Sequence, residues 1–144
     1  NVYGIEKDME KAHVITDFIR RGFEEGEFEM LTDGTEQRQF LYAEDCCEAL
    51  ETVMNCYSDF KPTDPLHITS FHETSIAEIA SFIQGQFNMI GRYDVKIKPG
   101  LAKDSVQMDK RNEAETYITG WWTPKTGIAD GIAKVFADMK KDYE

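Results

Sequence analysis

The stretch TDGTEQRQFLYAEDCCEAL, residues 32–50, decides how this chain reads. Thr32-Asp33-Gly34-Thr35 carries the Asp-Gly turn signal. Gln39-Phe40-Leu41-Tyr42 is short, aromatic and aliphatic, and predicts a strand. Ala43-Glu44-Asp45 leads into Cys46-Cys47-Glu48-Ala49-Leu50, which predicts a helix whose acidic first turn suits the positive end of its dipole. Arg38 stands at the strand entry, just after the turn. A cation placed there can be aimed at a ligand while strand and helix hold its backbone.

Working outward, the N-terminal flank opens with Asn1-Val2-Tyr3-Gly4, the end of a strand entering a loop. Residues 10–25 follow a helical period, with Val14, Ile15, Phe18, Ile19 and Phe23 on one apolar face. Gly22 and Gly26 are expected to weaken and then end that helix. Residues 27–31 alternate weakly and predict a strand. On the other flank, the helix opened at Asp45 runs to about Tyr57, and Pro62 and Pro65 mark a loop. Leu66-His67-Ile68-Thr69 predicts a short strand. Ser75-Ile76-Ala77-Glu78 has the form of a capping box, opening a helix with Ile76, Ile79, Ala80 and Ile83 on one side. Residues 93–97 predict another strand, broken by Pro99-Gly100, and residues 101–108 form a polar segment. Asp109 can cap a short helix over residues 110–118. Gly120-Trp121-Trp122 makes a turn before a final helix striped by Ile128, Ile132, Val135, Phe136 and Met139. Helices alternating with few, short strands predict a mixed α/β fold, short of a complete doubly wound sheet.

At 144 residues the chain suffices for one domain with a true core. Its formal charge of −11 argues against a nucleic-acid partner. It also requires any anionic ligand to meet a local cluster of arginine and lysine. No apolar run approaches the roughly 20 residues of a membrane-spanning helix. Three cysteines, Cys46, Cys47 and Cys56, in no metal-binding spacing, predict a reducing, cytoplasmic setting and packing roles.

The known catalytic motifs are missing. There is no G-x-G-x-x-G, no G-x-x-x-x-G-K-[ST], no H-E-x-x-H and no G-x-S-x-G. Tyr3 and Lys7 share Y-x-x-x-K spacing, as do Tyr57 and Lys61, but loop and helix-end positions make both coincidental. Catalysis complete within this chain is therefore not expected. His13, near the start of an amphipathic helix, is either a surface or boundary histidine or a general acid or base, a role open to histidine as a residue type that titrates near neutrality. His67 and His72 read as structural or solvent-facing. Arg20, Arg21 and Arg38 can form the required basic patch.

Asn1-Val2-Tyr3-Gly4, the His13-Val14-Ile15 helix, and Gly34 through Arg38-Gln39-Phe40 to Asp45 together resemble the extended short-chain dehydrogenase/reductases, the NAD-dependent epimerase/dehydratase family acting on nucleotide sugars. That family writes these elements as N-x-Y-G and G-x-x-x-R-[DE]-F-x-x-V-x-D. The likeness extends through Ser75-Ile76-Ala77-Glu78 and Gly120-Trp121 to the last helix. It matches the C-terminal, substrate-binding half of such an enzyme. Within the family the trio His13-Val14-Ile15 ahead of Ile19-Arg20-Arg21 is most similar to the GDP-L-fucose synthases.

The resemblance implies that residues 1–144 form a single nucleotide-sugar substrate-binding domain. The Rossmann half, with its NAD or NADP loop and Y-x-x-x-K pair, would lie upstream of Asn1. This chain alone would then bind no cofactor and would be inactive alone. His13 would be the acid/base residue. Asn1, Arg21 and Arg38 would bind sugar and diphosphate, and Lys103 would substitute for a basic pair expected before the aspartate matched by Asp109. Gln39, Ala43 and Leu31 replace the usual acid, valine and tryptophan. The partners implied are a nucleotide-diphosphate sugar and either the missing Rossmann half or a second copy of the chain, through a face including Cys46, Cys47 and Leu50. The alternative is a non-catalytic relative that kept the fold as a binding or self-associating scaffold.

Overall fold

The computed structural model describes residues 1–61, 65–104 and 117–144. Among them are four α-helices and three two-stranded sheets. Strand β1 (Val2–Tyr3) pairs in parallel with β4 (Leu41–Tyr42), and β2 (Glu27–Glu29) in parallel with β6 (Lys96–Lys98). Strand β3 (Gln37–Gln39) pairs antiparallel with β5 (Glu73–Ser75). Helices α1 (Val14–Glu24), α3 (Ile76–Met89) and α4 (Ile128–Lys140) pack on one another, while α2 (Ala43–Asn55) follows β4 directly. The expected mixed α/β architecture of helices and short strands is what forms.

The strand expected over residues 39–42 is two strands, separated at Phe40. Gln37–Gln39 bond to β5 and Leu41–Tyr42 to β1, so the chain changes partner in passing between sheets. Side chains that alternate along an extended chain then enter different cores. Phe40 and Tyr42 join the main core with Phe18, Ile79, Phe87 and Phe136, whereas Leu41 joins a second cluster with Ala49, Ile118 and Trp122. Residues 32–50 therefore tie the two cores together. The turn ahead of them forms as expected, with Gly34 at φ 77°, a backbone region that costs glycine little.

The expected strand at residues 66–69 does not form. His67 makes a single bridge to Tyr117, and Leu66 and Ile68 pack their side chains against the second cluster. The strand lies instead at the more polar Glu73–Ser75, where β3 offers an open edge. Immediately after it the capping box is complete: Glu78 N–H donates to Ser75 Oγ at 3.2 Å and Ser75 N–H to Glu78 Oε2 at 2.8 Å. The hydrogen bonds from Ser75 hold the Glu78 carboxyl below its ordinary pKa.

The apolar face of α1 is buried as its period requires, with Ile15, Phe18 and Ile19 nearly inaccessible. Helix α1 continues through Gly22. Gly22 is buried within it, where a Cβ would stand 2.3 Å from the ring of Phe87. Gly26, at φ 72°, follows the helix end. Cys46 corrects the expectation of an outward face on α2, because it packs on the second cluster; Cys47 is exposed. Leu50 is 52% exposed and Met54 78%. Pro62, residues 105–108, Asp109 and residues 110–116 of the helix expected over 110–118 lie outside the described residues; Tyr117 bridges to His67, and Ile118 opens a short 3-10 turn, Ile118–Gly120. No helix among the described residues is long and apolar enough to cross a membrane.

Candidate functional site

The N-terminal half of α1 and the strand ends facing it enclose a cavity of about 610 Å3. That volume lies within the range of small-molecule clefts, roughly 300–1,000 Å3. His13, Asp17 and Arg21 recur at intervals of four along α1 and so share one helix face lining the cavity. The opposite wall includes Asn1 and Arg38, with Leu31, Thr32 and Glu36 from the loop between β2 and β3, and Asp104 beyond β6. Thus Asn1, His13, Arg21 and Arg38, far apart in sequence, meet at one site. Lys103 is exposed and stands outside the lining. Its positive charge helps hold the Asp33 carboxyl below its ordinary pKa, after the larger effects of the Thr35 hydroxyl and N–H. Arg20 also lies outside; it is bound at 2.7 Å by each of Asp17 and Glu24.

Each cavity arginine is matched by acids. Arg38 pairs with Asp104, both largely buried at the cavity wall. Arg21 has Glu25 at 3.5 Å and Asp17 at 3.9 Å, and its guanidinium reaches the Glu29 carbonyl at 3.5 Å. Asn1 is held by its backbone: Leu41 N–H donates to the Asn1 carbonyl at 2.8 Å, and the Asn1 amide reaches the Gln39 carbonyl at 3.5 Å. An anion entering the cavity would find two guanidinium groups oriented by acids it must compete with.

His13 caps α1 with extended backbone, φ −80° and ψ 167°. Its ring is 77% exposed, so a ligand can reach it. Its Nδ1 meets Glu6 Oε1, its own N–H donates to Glu6 Oε2 at 2.8 Å, and the Thr16 hydroxyl donates to the same Oε2. Partial burial pushes the Glu6 carboxyl up, but the hydrogen bonds from Thr16 and His13 outweigh it, and its pKa lies below the ordinary carboxylate value. Sequence reasoning passed over Glu6 and Asp104, since neither the seven-residue interval from Glu6 to His13 nor the 66-residue interval from Arg38 to Asp104 follows a local repeat.

Tyr3 is buried beside Phe40 and Tyr42, and burial first, then the nearby Tyr42, Asp45 and Asp130, raise its phenol pKa; Lys7 is exposed, so the two make no reactive pair. No grouping of three or more His, Cys, Asp or Glu side chains suited to a metal occurs among the described residues.

Residues 1–68 match the model of the NAD dependent epimerase/dehydratase family. Residues 1–68 are thus similar to that family. A GDP-L-fucose synthase of Sinorhizobium fredii is 30% identical over 147 residues, covering 94% of this chain and 43% of that protein. Among solved structures, UDP-glucose 4-epimerase of Thermotoga maritima with UDP-glucose superposes with a TM-score of 0.75 at 19% identity, over all of this chain and 45% of that one. A GDP-L-fucose synthetase of Naegleria fowleri bound to NADP gives 0.69 at 18%, over 99% and 44%. The chain spans less than half the length of each of these three relatives, and at such identities the structural matches speak for the fold.

Proposed function

We propose that residues 1–144 act as the nucleotide-sugar-binding domain of an NAD(P)-dependent nucleotide-sugar epimerase, dehydratase or reductase of the GDP-L-fucose synthase type. The observation that carries this reading is the convergence of Asn1, His13, Arg21 and Arg38 on one cavity of ligand size. Arg38 and Arg21 anchor the diphosphate, whose oxygens replace the carboxylates now paired with them. Asn1 binds near sugar and phosphate. Lys103, one residue before the cavity-lining Asp104, completes the set. His13 exchanges protons with a keto sugar as general acid and base.

A dinucleotide cofactor does not fit the residues described here. The glycines at positive φ, Gly26, Gly34 and Gly91, belong to separate turns and make no phosphate cradle. On the reading proposed here, NAD or NADP is held by a Rossmann half outside residues 1–144.

Calorimetric titration with GDP- and UDP-sugars tests the site. Binding is expected, and Arg38→Ala is expected to weaken it by about 1.5–3 kcal/mol, roughly ten- to a hundred-fold. Failure of every nucleotide sugar to bind would reject this reading.

A second reading, a self-associating scaffold module, is favoured by one stripe of α2 and the residues after it. Cys47, Leu50, Met54 and Tyr57 succeed one another at intervals of three and four, and all are exposed. On that reading light scattering detects dimers or larger species at high concentration, and Leu50→Glu with Met54→Glu returns them to monomers. A strictly monomeric wild-type chain sinks it.

A further inference from the structure

We propose that Glu6 is a positioning residue for His13, holding its neutral imidazole with the proton on Nδ1 so that Nε2 is the nitrogen offered to the cavity. The catalytic use of that nitrogen rests on the function proposed above; the placement of the proton does not. Glu6 follows β1, in the loop before the short 3-10 turn Met9–Lys11, and reaches back to the N-terminus of α1. Its two carboxylate oxygens divide their work. Oε2 accepts two donors, the His13 N–H at 2.8 Å and the Thr16 hydroxyl, and Oε1 meets the His13 Nδ1. The first pair anchors the carboxylate from the buried side, since Thr16 is only 2% exposed.

An ionised carboxylate can only accept hydrogen bonds. A Nδ1 that is hydrogen-bonded to Oε1 must therefore carry a hydrogen, and in the neutral ring this leaves the lone pair on Nε2. Among the described residues nothing bonds Nε2, and the exposed ring lines the cavity. A carboxylate that fixes the tautomer and orientation of an imidazole is a general means of preparing a histidine base. The same contact also serves the fold, because Glu6 satisfies the backbone N–H at the cap of α1 while the His13 side chain makes no capping bond of its own.

The two roles separate in Glu6→Gln. The glutamine amide has one oxygen, and two donors, the His13 N–H and the Thr16 hydroxyl, already compete for it. Its NH2 then faces Nδ1, which must accept, and the proton moves to Nε2. Helix capping survives while the tautomer inverts.

The experiment is 15N-resolved NMR of the imidazole of the full 144-residue chain, without ligand, above the ordinary histidine pKa of about 6.5. His13 is assigned by its loss in His13→Gln. The wild type is expected to show Nδ1–H as the majority form and Glu6→Gln the reverse. A wild-type ring with its proton mainly on Nε2 overturns the proposal, and this arm needs no variant to fold. An unchanged majority tautomer in a folded Glu6→Gln protein also overturns it, leaving Glu6 a helix cap alone. Neither outcome depends on whether a nucleotide sugar binds, so the loss of that reading would be seen separately, by calorimetry.

Discussion

Phe87→Ala is expected to cost about 3–5 kcal/mol, the range for deleting a large buried aromatic ring. Phe87 is fully buried on α3, with the rings of Phe23 and Phe136 each 4.8 Å from its own, centroid to centroid. It is the contact through which α1, α3 and α4 meet. A small domain has only about 5–15 kcal/mol of net stability, so the loss is a large share. At roughly 2–4 °C per kcal/mol, the midpoint should fall by on the order of 10 °C. Urea unfolding and thermal unfolding, both followed by circular dichroism, measure the two quantities; a loss below about 1 kcal/mol would mean that neighbouring rings collapse into the space.

Gly22 tests the same contact from the other side. In an exposed helix, glycine to alanine gains about 1 kcal/mol. Here the added Cβ would stand 2.3 Å from the Phe87 ring, so overpacking, typically about 1–3 kcal/mol, should reverse the sign. Combining Gly22→Ala with Phe87→Leu should cost less than the sum of the two, and a double-mutant cycle measures the difference.

The second large effect is expected at Asp45. This residue is 3% exposed in the first turn of α2, and its carboxylate accepts from Lys125 N–H at 3.1 Å, Thr126 N–H at 2.8 Å and the Thr126 hydroxyl at 3.2 Å. It therefore fastens the start of α2 to the segment leading into α4. Asp45→Ala strands two backbone donors, and with hydrogen bonds to a charged group worth about 1.5–3 kcal/mol each, a net loss of roughly 2–4 kcal/mol is expected. Asp45→Asn keeps an oxygen for the two N–H groups and should cost markedly less. Hydrogen exchange at Lys125 and Thr126 gives a local readout: their amides should lose protection in Asp45→Ala beyond the global change. Equal losses for the alanine and asparagine variants would show that the charge, not the geometry, supplies the stability.

Asp45 also marks how far local pattern carries. In the sequence it is an acid in the first turn of a helix, favoured by the dipole; its partners lie 80 and 81 residues away. Glu73-Thr74-Ser75 has no strand signature of its own and becomes a strand because β3 lies open beside it. Leu66 and Ile68 have one and do not pair, because the second cluster takes their side chains.

The sequence by itself determined helices α1, α3 and α4 with their inner faces, the capping box at Ser75 and Glu78, and the turn at Gly34. Those depend on residues within one or two helical turns, where backbone hydrogen bonding and side-chain period act at short range. It also marked Asn1, His13, Arg21 and Arg38 through their family resemblance, and the fold gathers them around one cavity. Only the tertiary structure decided that residues 37–42 divide between two sheets and two cores, that Arg38 pairs with Asp104, and that Glu6 meets His13. Strand partners and ion pairs are chosen among segments brought together by collapse of the core. A carboxylate carries no local signal of which cation it will find there.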